Sequence, residues 1–158
     1  MKLKVFFAIC LLGIFAIGAP ASASDRTVYS GSSCEAYYGY QGDSLYRYDG
    51  GIYNSSGSGM WISCPIARMH TTTTSGLWEG RVDFYRSSSA TSDLTCILKS
   101  RHQTSQHIKS NSNDSSNSAA DFMYLFMDYS FPGGYYQLVC YLPEYSQIHS
   151  YAIEEKIR

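Results

Sequence analysis

Which cysteines survive into the folded chain decides most of what this sequence can become. Five occur among 158 residues. Cys10 lies inside an apolar run, residues 5–17, that follows the basic start Met1-Lys2-Leu3-Lys4 and ends at Gly18, Pro20 and the triplet Ala21-Ser22-Ala23. A basic start, a short apolar segment and a small-x-small site form the pattern that signal peptidase reads. The run falls short of the ~20 residues a membrane-spanning helix needs. Cleavage is therefore expected after Ala23, with Ala19-Pro20-Ala21 as the competing site. Residues 1–23 are then a cleavable signal and 24–158 a single domain. Cys10 leaves with the signal, and Cys34, Cys64, Cys96 and Cys140 remain. An even number of cysteines in an exported chain reads as two disulfides. No CxxC occurs, so a zinc or thioredoxin-like site has no support. Three pairings are open. Cys34–Cys64 with Cys96–Cys140 is preferred because each bridge then joins neighbouring parts of the chain.

Export also changes the charge. Loss of Lys2 and Lys4 leaves ten basic residues against 13 acidic ones, which gives no basic footprint for nucleic acid. All 15 tyrosines lie beyond the signal. Tyrosine suits strands and half-buried surfaces, and it is common at binding faces. After the signal the longest apolar run, residues 122–127, is six residues long, so no transmembrane segment is expected. Glu154-Glu155-Lys156-Ile157-Arg158 is neither a hydrophobic anchor nor a retention signal.

The remainder reads as short extended runs separated by turn chemistry. Ser44 to Tyr48 meets Asp49-Gly50-Gly51 and resumes at Ile52-Tyr53-Asn54, a hairpin pattern. Met60 to Ile66 is the next run, and residues 71–76 form a loop. In Leu77 to Tyr85, Trp78, Gly80, Val82 and Phe84 share one face, while Glu79, Arg81 and Asp83 share the other. That is a strand with one wet face. Leu94, Cys96 and Leu98 align in the same way, and so do Tyr136, Leu138, Cys140 and Leu142. Residues 109–118 are Ser/Asn-rich and read as a surface loop. Residues 122–129 are apolar on both faces, as expected of a central strand covered on both sides, with a short helix as competitor. The last strand is expected at 148–153.

Seven or eight short strands without a long helical pattern predict an all-β fold. The expected architecture is a single antiparallel β-sandwich, immunoglobulin-like or jelly-roll-like, with two disulfides. A Cys96–Cys140 bridge would pin strands inside the core in the role of an immunoglobulin staple. The true immunoglobulin Cys…Trp…Cys spacing is absent, since Trp61 and Trp78 both precede Cys96.

The run of Cys34, Cys64-Pro65-Ile66, Arg81-Val82-Asp83-Phe84-Tyr85, Cys96-Ile97-Leu98-Lys99-Ser100, Tyr136-Gln137-Leu138-Val139-Cys140-Tyr141-Leu142-Pro143 and Ile148-His149-Ser150-Tyr151 resembles a loose group of small secreted bacterial proteins with four cysteines. The resemblance implies export and fold, and it carries no activity. It also implies that the sequons Asn54-Ser55-Ser56 and Asn113-Asp114-Ser115 are chance, because they matter only in a eukaryotic secretory pathway.

No Gly-x-Ser-x-Gly elbow, His-Glu-x-x-His or phosphate loop is present. His70, His102 and His107 read as solvated loop residues, and His149 as a strand residue packing beside Tyr151. Asp43 and Asp49 are too sparse for a calcium loop. No catalytic residue, metal site or cofactor is assigned. The rings of Tyr37, Tyr38, Tyr40, Tyr46 and Tyr48 are the candidate binding surface. The expectation is an exported, non-enzymatic binding or assembly module with a protein or glycan partner. The alternatives are a carbohydrate-binding module using coplanar exposed tyrosines, and a small secreted hydrolase lacking a recognisable motif.

Overall fold

The computed structural model describes residues 24–67, 77–102, 104, 108–127, 131 and 133–156. The expected signal segment, the expected loop at 71–76, His70 and His107 lie outside them. Among the described residues the strands are β1 (Ser24–Ser30), β2 (Glu35–Ala36), β3 (Leu45–Tyr48), β4 (Gly51–Asn54), β5 (Met60–Ile66), β6 (Leu77–Tyr85), β7 (Leu94–Arg101), β8 (Ile108–Ser115), β9 (Ala120–Phe126), β10 (Tyr135–Leu142) and β11 (Gln147–Lys156). No helix among these residues is long and apolar enough to cross a membrane.

The pairings are nested. β7 pairs with β8, β6 with β9, β5 with β10 and β4 with β11, all antiparallel. The chain from β4 to β11 is thus one long hairpin with β7–β8 at its tip. Two further pairings, β6–β11 and β7–β10, roll this hairpin into two sheets. One sheet runs β3-β4-β11-β6-β9, with β1 also on β11, and the other runs β2-β5-β10-β7-β8. That is a jelly-roll sandwich, one of the two architectures the strand pattern predicts. β11 pairs with β6 along most of its length, and its other edge serves β4 first and β1 second. The register slips between Ile148 and Ser150, where β4 gives way to β1.

The alternation seen in the sequence sets the core. Met60, Ile62, Cys64 and Ile66 of β5, Leu94, Cys96 and Leu98 of β7, and Tyr136, Leu138, Cys140 and Leu142 of β10 are buried from one sheet. Ile52, Val82, Phe84, Met123, Leu125, Ile148, Tyr151 and Ile153 meet them from the other. Gly80 lets the sheets approach, because a Cβ there would lie 2.9 Å from Leu98 Cδ2. Tyr151 ties the layers together: its hydroxyl donates to Pro65 O across the sandwich at 2.6 Å, and its ring stacks on Tyr29 at 5.0 Å. Gly50, at φ 95°, supplies the left-handed residue in the β3–β4 turn.

Cys34 is bridged to Cys64 and Cys96 to Cys140. Cys96 and Cys140 stand directly opposite on neighbouring strands β7 and β10. The bridge therefore lies within one sheet and does not join two layers as an immunoglobulin staple does.

Two local expectations fail for the same reason. The Ser/Asn stretch read as a loop is strand β8, paired with β7 over its whole length. Its backbone is satisfied from one side only, so its side chains need no apolar face. Of residues 122–129, read as a central strand, 122–126 belong to β9, the edge strand of its sheet. Met123 and Leu125 point into the core, while Phe122 and Phe126 are about half exposed on the other face.

Asn54 rules out one of the two sequons. It is fully buried, and its amide nitrogen lies 2.9 Å from Ser58 O, 3.1 Å from Leu142 O and 3.0 Å from Pro143 O. Its Oδ1 accepts from the Ser56 amide and hydroxyl. No attached glycan fits there. Asn54→Ala would strand several carbonyls inside the protein, and buried unpaired groups cost about 1–3 kcal/mol. A loss of about 2–3 kcal/mol in urea-unfolding free energy is expected.

The connection after β6 is held by ionised groups. Buried Arg86 donates to Ser92 O, Ser116 O and Ala90 O. The Thr91 amide, the residue's own amide and the Thr91 hydroxyl together hold the Glu144 carboxyl below its usual range. A depressed carboxylate contributes stability above its unfolded value, about 4.5, and loses it as pH falls through the native value. Thermal unfolding followed from pH 7 down to pH 3 should show the wild-type advantage over Glu144→Gln shrinking below about pH 4.5.

Candidate functional site

Strand β9 carries Phe122, Tyr124 and Phe126 on the face turned away from the core. Period-two alternation requires this once Met123 and Leu125 are inward. The Tyr124 and Phe126 rings are 6.0 Å apart and inclined by only 26°, a nearly parallel, stacked pair. Phe122 closes one end, 5.3 Å from Tyr124 and inclined by 71°. These are alternate residues on an exposed strand, so the rings form a ladder along it.

The neighbouring strand β6 fixes the ladder from beneath. Arg81 lies opposite Tyr124 and Asp83 opposite Phe122. The Arg81 guanidinium sits 4.5 Å from the Phe122 ring centroid and is held by Asp83 Oδ1, at 2.9 Å from Nε and 2.5 Å from Nη2. Asp83 is held in turn by the Ser150 hydroxyl at 2.9 Å. The bond to Asp83 keeps Arg81 more firmly protonated than an ordinary arginine. The pair is thus a neutral unit.

On its other side the ladder borders the tip of β8. Ser112, Asn113, Asp114, Ser115, Asn117 and Asp121 line a solvent-open groove of about 570 Å³ with the three rings. That volume is within the usual range of ligand sites, about 300–1,000 Å³. The Asn113 side-chain amide donates to Tyr124 O and so fixes β8 against β9. The Asn117 side chain and the Phe122 amide both donate to the Asp121 carboxylate, keeping it below the usual carboxylate range and therefore ionised at neutral pH. The groove offers flat apolar rings, several hydrogen-bonding side chains and the negative charge of Asp114 and Asp121.

The tyrosines singled out in the sequence are split by the fold. Tyr46 and Tyr48 lie on the edge strand β3 of the same sheet as β9, at its far edge. Tyr48 bonds His149 Nδ1 at 3.0 Å, and Arg47 reaches Ser32 O and Cys34 O. Tyr37 and Tyr38 border the opposite sheet, where the Tyr37 amide bonds Trp61 O, and their rings are perpendicular at 88°. Tyr37 and Tyr38 therefore lie apart from Tyr46 and Tyr48, and all four side chains are exposed. The side chain of Tyr40 lies outside the described residues.

The sequence alone does not single out the ladder on β9, because a run that is apolar on both faces implies burial. Its signal was nonetheless present: aromatic residues at every second position, Phe122, Tyr124 and Phe126, opposite a methionine–leucine face.

Of the described histidines, His149 packs edge-on against Tyr48 at 6.4 Å and contacts the Gln147 side chain, and His102 lies beside Thr104 and Phe131. No group of three His, Cys, Asp or Glu side chains among the described residues is placed to hold a metal ion.

The sequence matches no protein-family model and no curated protein. Solved structures with a similar chain trace include a family 29 carbohydrate-binding module complexed with cellulohexaose, at 11% identity and TM-score 0.48, covering 84% of this chain and 91% of that one. Another is TmCBM61 in complex with β-1,4-galactotriose, at 6% identity and TM-score 0.39, covering 84% and 88%. A third is the Podospora anserina GH26-CBM35 β-(1,4)-mannanase, at 11% identity and TM-score 0.47; the match covers 84% of this chain but only 28% of that longer one.

Proposed function

We propose that this protein is an exported carbohydrate-binding module that holds an uncharged polysaccharide chain along the β9 ring ladder. The observation that carries the reading is the row of outward aromatic rings Phe122, Tyr124 and Phe126, with Tyr124 and Phe126 nearly parallel, set beside the polar side chains of the β8 tip. A pyranose ring has an apolar C–H face and a rim of hydroxyls. Flat rings take the face, while amides and carboxylates take the rim. The groove is open to solvent, so a chain can pass through it.

Charge selects among glycans. Arg81 is neutralised by Asp83, and the remaining charges lining the groove are Asp114 and Asp121. An anionic chain would be repelled there. The buried disulfides suit an oxidising compartment, which supports delivery outside the cytoplasm.

The test is affinity electrophoresis of residues 24–158 through gels containing neutral polysaccharides, among them glucans, mannans and galactans. Retardation by at least one neutral polymer is expected, with none by pectate or alginate that depends on the ladder. Free mobility in every neutral gel would remove the proposal.

A further inference from the structure

The opposite face of the sandwich carries a second pocket of different chemistry. Trp61 on β5, Val139 on β10 and Ile97 and Lys99 on β7 face outward from their sheet, and Tyr37 and Tyr38 lean over them. Val139 is only 2% exposed although it sits on an outer face, because these rings cover it. The Trp61 ring is braced edge-on by Tyr141 at 5.5 Å. The solvent-open space between them is about 230 Å³, below the usual size of a drug-sized ligand site. It suits one ring-sized unit and not a chain lying along it. Lys99 is the one charged residue lining it, and no carboxylate is among the other lining residues. Lys99 forms no ion pair among the described residues.

We infer that this pocket binds a single acidic sugar unit, a uronate, with its ring against Trp61 and Tyr37 and its carboxylate on the Lys99 ammonium. Rings on the walls and a lone cation at the rim match a pyranose bearing one carboxylate. The site is separate from the β9 groove, whose charge has the opposite sign, so the two faces address different glycans. It goes beyond the proposed function and stands or falls separately, since it shares no lining residue with the β9 groove.

The probes are a short oligogalacturonate and its fully methyl-esterified form, titrated by calorimetry into residues 24–158. The oligogalacturonate should bind, at least tenfold more tightly than the ester, and more weakly as salt is raised. Lys99→Met keeps the stem that packs on the sheet and should weaken uronate binding at least tenfold. Phe126→Ala should leave it unchanged. A melting temperature equal to wild type shows that Lys99→Met is folded. Binding that ignores Lys99→Met, equal binding of the ester, or no uronate binding would each overturn the assignment. So would capture of an acidic peptide by this pocket with uronates ignored.

Discussion

Replacing Phe126 with alanine is expected to weaken binding of a neutral polysaccharide about thirtyfold, the equivalent of a 2 kcal/mol anchor. The side chain is about half exposed and makes its ring contact with Tyr124 on the outer face. Its loss should move folding stability by less than about 1 kcal/mol. Binding and folding are therefore separable at this position, which is not so at a core residue. Restoring a ring with Phe126→Trp should restore affinity, because the contact needs a flat apolar face and not a particular residue. Tyr46→Ala, which removes the most exposed tyrosine named above (61%) at the far edge of the same sheet, should leave binding unchanged. Isothermal titration of the three variants against one retained polysaccharide gives all of these numbers.

The second large effect concerns the fold. The double variant Cys96→Ala/Cys140→Ala opens a loop with a sequence separation of 44 residues. In the chain-entropy treatment such a closure is worth about 4 kcal/mol, a large share of the 5–15 kcal/mol typical of a domain. The melting temperature should fall by roughly 10–15 °C. Both sulfurs are fully buried between strands already joined by their ladder. The native geometry around β7 and β10 should consequently survive, with the loss appearing as easier unfolding and not as a changed far-ultraviolet strand spectrum at low temperature. Calorimetric melting of wild type and double variant measures it. An unchanged melting temperature would mean the bridge adds nothing to the hydrogen-bonded pair.

How much of this was legible beforehand depends on what each face of a strand reports. Where one face was apolar and the other charged, as at Gly80, Val82 and Phe84 against Glu79, Arg81 and Asp83, the pattern fixed both the strand and its orientation. The same holds for Tyr136, Leu138, Cys140 and Leu142. The all-β sandwich followed from the number of such runs, although three strands were not foreseen. β1 and β2 carry little local signal, and β8 is polar on both faces, so pairing with β11, β5 and β7 decides them. β9 shows the converse limit. Alternation tells that both faces are apolar, yet not whether a neighbour covers them, and a strand at a sheet edge leaves one of them bare. The candidate site was hidden by that ambiguity. The tyrosines were conspicuous in the sequence, but the fold distributes Tyr37 and Tyr38 to one sheet and Tyr46 and Tyr48 to the other, which local sequence does not encode.

The most direct test of the β9 ladder as a glycan site is to map binding residue by residue. An amide spectrum of residues 24–158 should be recorded during titration with a soluble neutral oligosaccharide taken from the polymer that retards the protein. The expected result is a set of shifts confined to residues 121–126 of β9 and to Asn113, Asp114 and Asn117 beside it, saturating with one affinity. Shifts centred on Tyr46 and Tyr48 of β3, or on the Trp61 face, with residues 121–126 silent, would contradict it.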